Sequence, residues 1–283
     1  MVKGGRLLVR TVLFGAGQYG ITLYELLDRR RYEVIGFLDN TLADREIMGA
    51  KVYHPDVLPE LGADCVMLAL MGEDRRGQAA EQLAAFGVPV VLPPLDYIDL
   101  RGGQTVRLAG QIARDEVPGA VAELGVYQGE FAALLSGLFP ERKLLLFDTF
   151  TGFSAEDIDP LADGGHPTEG EFGDTSAAAV VARLPHPENA VIVDGHFPES
   201  AVGVYETFCF VSLDVDLYRP TYEGLRWFYP RMQAGGYILV HDAQSARFPG
   251  AGEALRQFCK EEKLSHIPLC DHHGSALLVK SHF

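Results

Sequence analysis

Residues 119–131 read Gly119-Ala-Val-Ala-Glu-Leu-Gly-Val-Tyr-Gln-Gly-Glu-Phe131. The apolar run 120–124 carries one acid, Glu123, and breaks at Gly125 and Gly129; Phe131, Leu134, Leu135 and Leu138 then recur at helical spacing. This is the pattern of a buried parallel strand, a tight glycine turn and a helix. Glycine suits a turn where a ligand approaches backbone that a Cβ would block, and the helix N-terminus adds N–H groups with no partner in the helix. An acid ahead of the glycines separates the turn from a phosphate-binding loop. It suits a ligand with a positive or hydroxyl-rich part, such as the amino-acid end of S-adenosylmethionine. Alone, E-x-G-x-x-x-G is a weak pattern, because many cofactors use such turns and some turns only pack.

The downstream chain strengthens the reading. Lys143-Leu-Leu-Leu-Phe147 ends at Asp148, where a doubly wound fold grips a ribose. Ala190-Val-Ile-Val193 ends at Asp194-Gly195, Phe208-Cys-Phe-Val-Ser-Leu213 at Asp214-Val-Asp216, and Tyr237-Ile-Leu-Val240 at His241-Asp242. Helices are expected over 177–184, 220–232 and 251–262, and two last strands over 266–269 and 275–280. Ligands of open α/β sheets bind beyond the carboxyl ends of the strands, so acids that each close an apolar strand form a cluster. Glu123, Asp148 and Asp194-Gly195 suit a nucleoside. Asp214, His241 and Asp242 suit a divalent metal, with Mg²⁺ favoured by oxygen ligands and Mn²⁺ admitted by the imidazole; the competing reading makes His241 only a partner of Asp242. Asp216 is read as hydrogen-bonded to a nearby loop.

Residues 149–176 are rich in Gly, Asp, Pro and Glu, and a loop of that length is usually functional. Its glycines and few apolar anchors predict a mobile lid over 151–176. His166 lies in it and has the pKa range of a general base; His196, His272 and His273 read as solvated.

Upstream, Arg10-Thr-Val-Leu-Phe14 runs into Gly15-Ala-Gly17-Gln-Tyr-Gly20, and the next strand, 32–38, ends at Asp39. This is the G-x-G-x-x-G fingerprint with its following acid. Both a nucleotide site and a glycine turn kept for helix–strand packing are open. A strand at 64–70, a helix at 76–86 and a strand at 88–92 make three to four strands before Pro93-Pro94 and Arg101-Gly-Gly103 punctuate the chain. The expected organisation is α/β throughout: a small Rossmann-like unit of the nucleotide- or sugar-nucleotide-binding type over 1–95, a linker over 96–108, and a seven-stranded class I methyltransferase domain over 109–283. A connecting helix over 103–116 should turn Val106, Leu108, Ala109 and Ile112 inward.

Composition narrows the function. The 283 residues carry a formal net charge of −15, which argues against a nucleic-acid surface. No apolar run approaches the roughly 18–20 residues of a membrane span. Four cysteines without C-x-x-C spacing indicate reduced thiols in a cytoplasmic protein.

The blocks AELGVYQGEFA at 122–132, LFDTFTGF at 146–153, SLDVDLYRPT at 212–221, YP at 229–230 and GGYILVHD at 235–242 resemble the macrocin O-methyltransferase (TylF-type) family over about residues 105–280. The resemblance implies S-adenosylmethionine- and divalent-metal-dependent methylation of a sugar hydroxyl on a glycan, nucleotide-sugar or glycosylated natural product. It places Glu123, Gly125, Val126, Tyr127 and Gly129 around the methionine part. Asp148 and Thr149 fall at the ribose, and Asp194 and Gly195 beside the adenine. The metal falls on Asp214, His241 and Asp242, with His241 standing where the family has the first Asp of a pair. Asp214 also borders the cofactor, and Asp214 and His166 are the catalytic candidates. The expected partner is a sugar-bearing acceptor, with a homo-oligomer compatible. The alternatives are an NAD(P)-dependent oxidoreductase or a nucleotide-sugar-binding module using Gly15, Gly17, Gly20 and Asp39.

Overall fold

Every strand expected near the glycine turns is present in the computed structural model, which describes residues 8–27, 31–91, 99–165, 167–271 and 274–281. The chain divides into two compact units, residues 1–99 and 100–283.

In the first unit, β1 (Val9–Phe14) leads through the glycine turn into α1 (Gln18–Leu26) and then β2 (Tyr32–Leu38). A hairpin of β3 (Glu46–Ile47) and β4 (Ala50–Tyr53) follows, then α2 (Leu58–Leu61), β5 (Cys65–Leu68), α3 (Glu73–Ala84) and β6 (Val90–Val91). The sheet order is β3-β4-β2-β1-β5-β6, and only the β3–β4 pair is antiparallel. Alternate residues serve opposite faces: Leu13 and Phe37 pack with Leu23 of α1, whereas Val12, Phe14 and Leu38 pack with Leu58 and Leu83. Both faces are covered, as a parallel sheet requires. The hairpin was not expected. It turns on Met48 (φ 54°) and Gly49 (φ 73°), and a methionine at a positive-φ turn position carries none of the usual Asn or Asp signal.

The second unit opens with α4 (Leu100–Arg114), which starts three residues before the expected helix. Its inward stripe is Thr105, Leu108, Ala109 and Ile112, a spacing of 0, 3, 4 and 7. Val106, expected inward, is 49% exposed because the stripe begins one residue earlier, at Thr105.

There follow β7 (Ala120–Leu124), α5 (Glu130–Leu138), β8 (Leu144–Asp148), α6 (Ala177–Arg183), β9 (Ala190–Asp194) and β10 (Phe208–Leu213). The unit closes with α7 (Tyr218–Phe228), β11 (Met232–Val240), α8 (Pro249–Glu262), β12 (Ile267–Pro268) and β13 (Ala276–Val279). The sheet order is β12-β13-β11-β10-β7-β8-β9. Within it β13 alone runs against the rest. Strand β11 starts at Met232 rather than at the expected Tyr237, with a register irregularity against β10 near Gly235 and Gly236.

Phe147 and Phe208 pack with Phe228 of α7 on one side of this sheet; Leu146 and Phe210 pack with Leu135 of α5 on the other. Each fully buried side chain of this size contributes about 1.5–3 kcal/mol, which makes the sheet a stiff base for whatever its edge carries. No described helix is long and apolar enough to cross a membrane.

Candidate active site

The carboxyl ends of the strands lie at one level, and the ladder hydrogen bonds run through the glycine turn. Gly125 N donates to Phe147 O (2.9 Å), Asp214 N to Leu124 O (2.9 Å), His241 N to Leu213 O (2.8 Å) and Gly195 N to Asp148 O (3.1 Å). Gly125 has φ +83°, and a Cβ there would meet the Asp214 carbonyl oxygen at 2.0 Å. Its glycine is therefore required by contact between two strand ends, whatever binds above. Gly129 sits at φ +80° at the start of α5, with Val180 Cγ1 3.0 Å from where its Cβ would be.

Asp148 braces this turn. Its Oδ2 accepts from Val126 N (2.7 Å) and Tyr127 N (2.9 Å), and its Oδ1 from Phe150 N (2.7 Å). Thr149 Oγ1 donates to Gly152 O at 3.3 Å. Asp194 is exposed at the end of β9. Glu123 is the opposite case: it is 1% exposed, one residue inside the end of β7, and its Oε2 has no hydrogen-bond partner. Burial pushes its carboxyl well above the ordinary range, against the pull of Arg101.

Asp214, His241 and Asp242 do converge, with candidate ligand atoms within 4.8 Å of one another. His241 Nδ1 lies 2.8 Å from Asp214 Oδ1 and 2.6 Å from Asp242 Oδ2. Burial lowers the imidazole's pKa, but the Asp214 charge prevails and pushes it up to about 10. Asp216 belongs to the cluster as well, because the partner of its side chain is Asp242. Burial first, then the charges of Asp214 and Asp242, hold its carboxyl well above the usual range.

One member of the cluster was missed in the sequence. Arg101, in the first turn of α4, donates from Nη1 to Asp214 Oδ2 (2.7 Å) and from Nη2 to Ser212 Oγ (3.0 Å). Its guanidinium lies over the Phe131 ring at 3.8 Å from the centroid. Burial would raise the Asp214 carboxyl, but Arg101 and then His241 hold it well below the carboxylate range. The available signal was charge balance, since several acids closing buried strands need an internal cation. As arranged, a divalent ion at this cluster would compete with contacts the protein already makes, since one oxygen of Asp214 takes a guanidinium and the other faces the His241 ring.

Residues 151–176 do not lack anchors. Phe153 N donates to Glu171 O (3.0 Å) and Gly170 N to Phe153 O (2.9 Å). Phe172 packs edge-on against Tyr127, Phe153 and Phe248 at 5.3, 5.3 and 6.2 Å. Asp163 is fully buried and accepts from Tyr218 N at 2.8 Å. His196, read as solvated, bonds Asp157 and Glu199. His166, His272 and His273 lie outside the described residues.

In the first unit, a Cβ on Gly15 would meet Ala69 O at 2.4 Å and one on Gly20 would meet Gly15 O at 2.0 Å, whereas Gly17 has nothing within 4 Å. Asp39 Oδ2 accepts from Ala16 N (3.0 Å), and Oδ1 from Thr41 N, Thr41 Oγ1 and Leu42 N. Packing thus accounts for two of the three glycines, and Asp39 braces its turn as Asp148 does.

Residues 101–275 match the family model for macrocin-O-methyltransferase (TylF). Over 165 residues the chain is 25% identical to mycinamicin III 3''-O-methyltransferase of Micromonospora griseorubida, covering 51% of this chain and 62% of that protein. The chain thus spans less than two thirds of that relative's length. Among solved structures it resembles the O-methyltransferase NovP (TM-score 0.57, 19% identity, 64% of this chain and 80% of that one). It also resembles the calicheamicin methyltransferase CalS11 (TM-score 0.50, 21% identity, 74% and 87%). At these identities the two structures establish the fold.

Proposed function

Because the chain belongs to the macrocin-O-methyltransferase (TylF) family, we propose that it transfers the methyl group of S-adenosylmethionine to a hydroxyl of a sugar-bearing small molecule. The observation that carries the reading is the sheet edge itself. There the turn 125–129, the unpartnered Glu123 Oε2 and the Asp214 cluster share one level. S-adenosylmethionine supplies an electrophilic methyl group. Glu123, Gly125, Val126, Tyr127 and Gly129 hold its methionine part, Asp148 and Thr149 its ribose, and Asp194 and Gly195 its adenine. The acceptor oxygen forms the new O–C bond as the S–C bond breaks, sulfur keeps the electron pair, and the hydroxyl proton passes to a base, the role assigned to His166. The Asp214 cluster orients the acceptor, and orientation supplies much of the rate. No step of this reading runs through a divalent ion. The N-terminal unit is proposed as a Rossmann-like domain serving substrate recognition.

Calorimetric titration of the full chain with S-adenosylmethionine and S-adenosylhomocysteine tests the reading. Binding of both, with methyl transfer to a panel of glycosylated acceptors, is expected. Absence of any binding rejects it.

A further inference from the structure

We infer that Arg101 stands in for the divalent cation at the Asp214 cluster, so that a protein guanidinium, not a bound metal, supplies the positive charge beside the acceptor. The inference rests on the reading of the chain as an O-methyltransferase and departs from the metal dependence implied by the resemblance.

Three features carry it. First, both oxygens of Asp214 already face a protein nitrogen: Oδ2 takes Arg101 Nη1 at 2.7 Å and Oδ1 lies 2.8 Å from His241 Nδ1. Second, His241 Nδ1 also faces Asp242 Oδ2 at 2.6 Å. The three groups are thus drawn onto one another and, through Asp214, onto the Arg101 guanidinium. Third, Arg101 is fixed in place. Its side chain is 14% exposed, bonded to Ser212 and laid on Phe131, and its charge is permanent. Its Nε is buried without a hydrogen-bond partner. Arg101 is thus a positioning residue that links α4 to the reacting edge. The histidine at 241 fits the same change: a second carboxylate there would restore the charge that a metal needs.

Electron paramagnetic resonance of Mn²⁺ added to the chelator-treated full chain tests this without an acceptor. The wild-type protein is expected to leave the free-ion signal unchanged at equimolar concentration, and Arg101→Lys to behave the same way. Arg101→Gln combined with His241→Asp is expected to take up one Mn²⁺ per chain, at least about tenfold more tightly than wild type, the scale on which neighbours of a metal site act. Stoichiometric Mn²⁺ uptake by the wild-type chain overturns the inference, and that arm decides even where the double variant fails to fold. S-adenosylmethionine titration in the same chelated sample separates the two readings. Cofactor binding together with Mn²⁺ uptake overturns only the role of Arg101, whereas absence of cofactor binding overturns the methyltransferase reading.

Discussion

His196 and Asp157, 39 residues apart in the chain, meet through Nε2 and Oδ2 at 2.7 Å. The contact ties the turn after β9 to the segment that leads away from β8. Glu199 reaches the other ring nitrogen at 3.1 Å, so one imidazole joins two carboxylates beside the proposed adenine position.

The pH dependence follows from this arrangement. Burial lowers the His196 pKa, but hydrogen bonds to Glu199 and Asp157 outweigh it and hold the value above the ordinary 6.5. A raised folded pKa means that the contact stabilises fully below about 6.5 and loses that contribution as pH climbs through the folded value. Hydrogen exchange of residues 155–163 should therefore speed up on going from pH 6 to pH 9 beyond the intrinsic base-catalysed rise. In His196→Gln that extra acceleration should be absent. An unchanged profile in the variant would remove His196 as the cause.

Phe172→Ala deletes three edge-on ring contacts, each worth about 0.5–1.5 kcal/mol. Exchange protection of residues 151–153 and 170–173 should fall by that amount, while β10 amides stay protected. Equal loss in both regions would mean that the segment is part of the global core.

The glycines of the first unit separate packing from binding. Gly20→Ala drives a Cβ onto the Gly15 carbonyl and should cost about 1–3 kcal/mol of stability, read as a lower melting temperature. Gly17→Ala meets nothing within 4 Å and should leave melting unchanged. Weaker binding of NADH or a nucleotide-sugar to Gly17→Ala would assign a ligand to this turn. Failure of the wild-type chain to bind either leaves the turn a packing device.

Asp214→Asn strips Arg101 of its charged partner. Because the Asp214 side chain is 21% exposed, the loss belongs near about 1–3 kcal/mol. Turnover should fall at least about 100-fold, the lower range for a positioned polar group, with S-adenosylmethionine affinity held within a few fold. Near-normal turnover would take Asp214 out of the acceptor site.

The sheet was legible because each apolar run closes on an acid or a glycine, a local pattern that survives without tertiary knowledge. Glu123, Asp148, Asp214, His241 and Asp242 were found that way. Arg101 was not, since Arg101-Gly-Gly103 reads as a chain break and its partner Asp214 is 113 residues away. The aromatic anchoring of 151–176 was hidden for the same reason: Phe153, Phe172 and Phe248 are isolated in sequence and meet only in the fold. In each case the missed contact is long-range, and no local periodicity encodes it.

The backbone approach of Gly125 to Asp214 also limits how such a protein can diversify. The exclusion falls on a backbone carbonyl that any residue at 214 would carry, so position 125 is held to glycine whatever side chain the acceptor side presents. A side chain at 125 should therefore be tolerated no better when residue 214 is changed. New acceptor preferences are therefore expected to arise in the segment 151–176, where sequence can change without disturbing that junction.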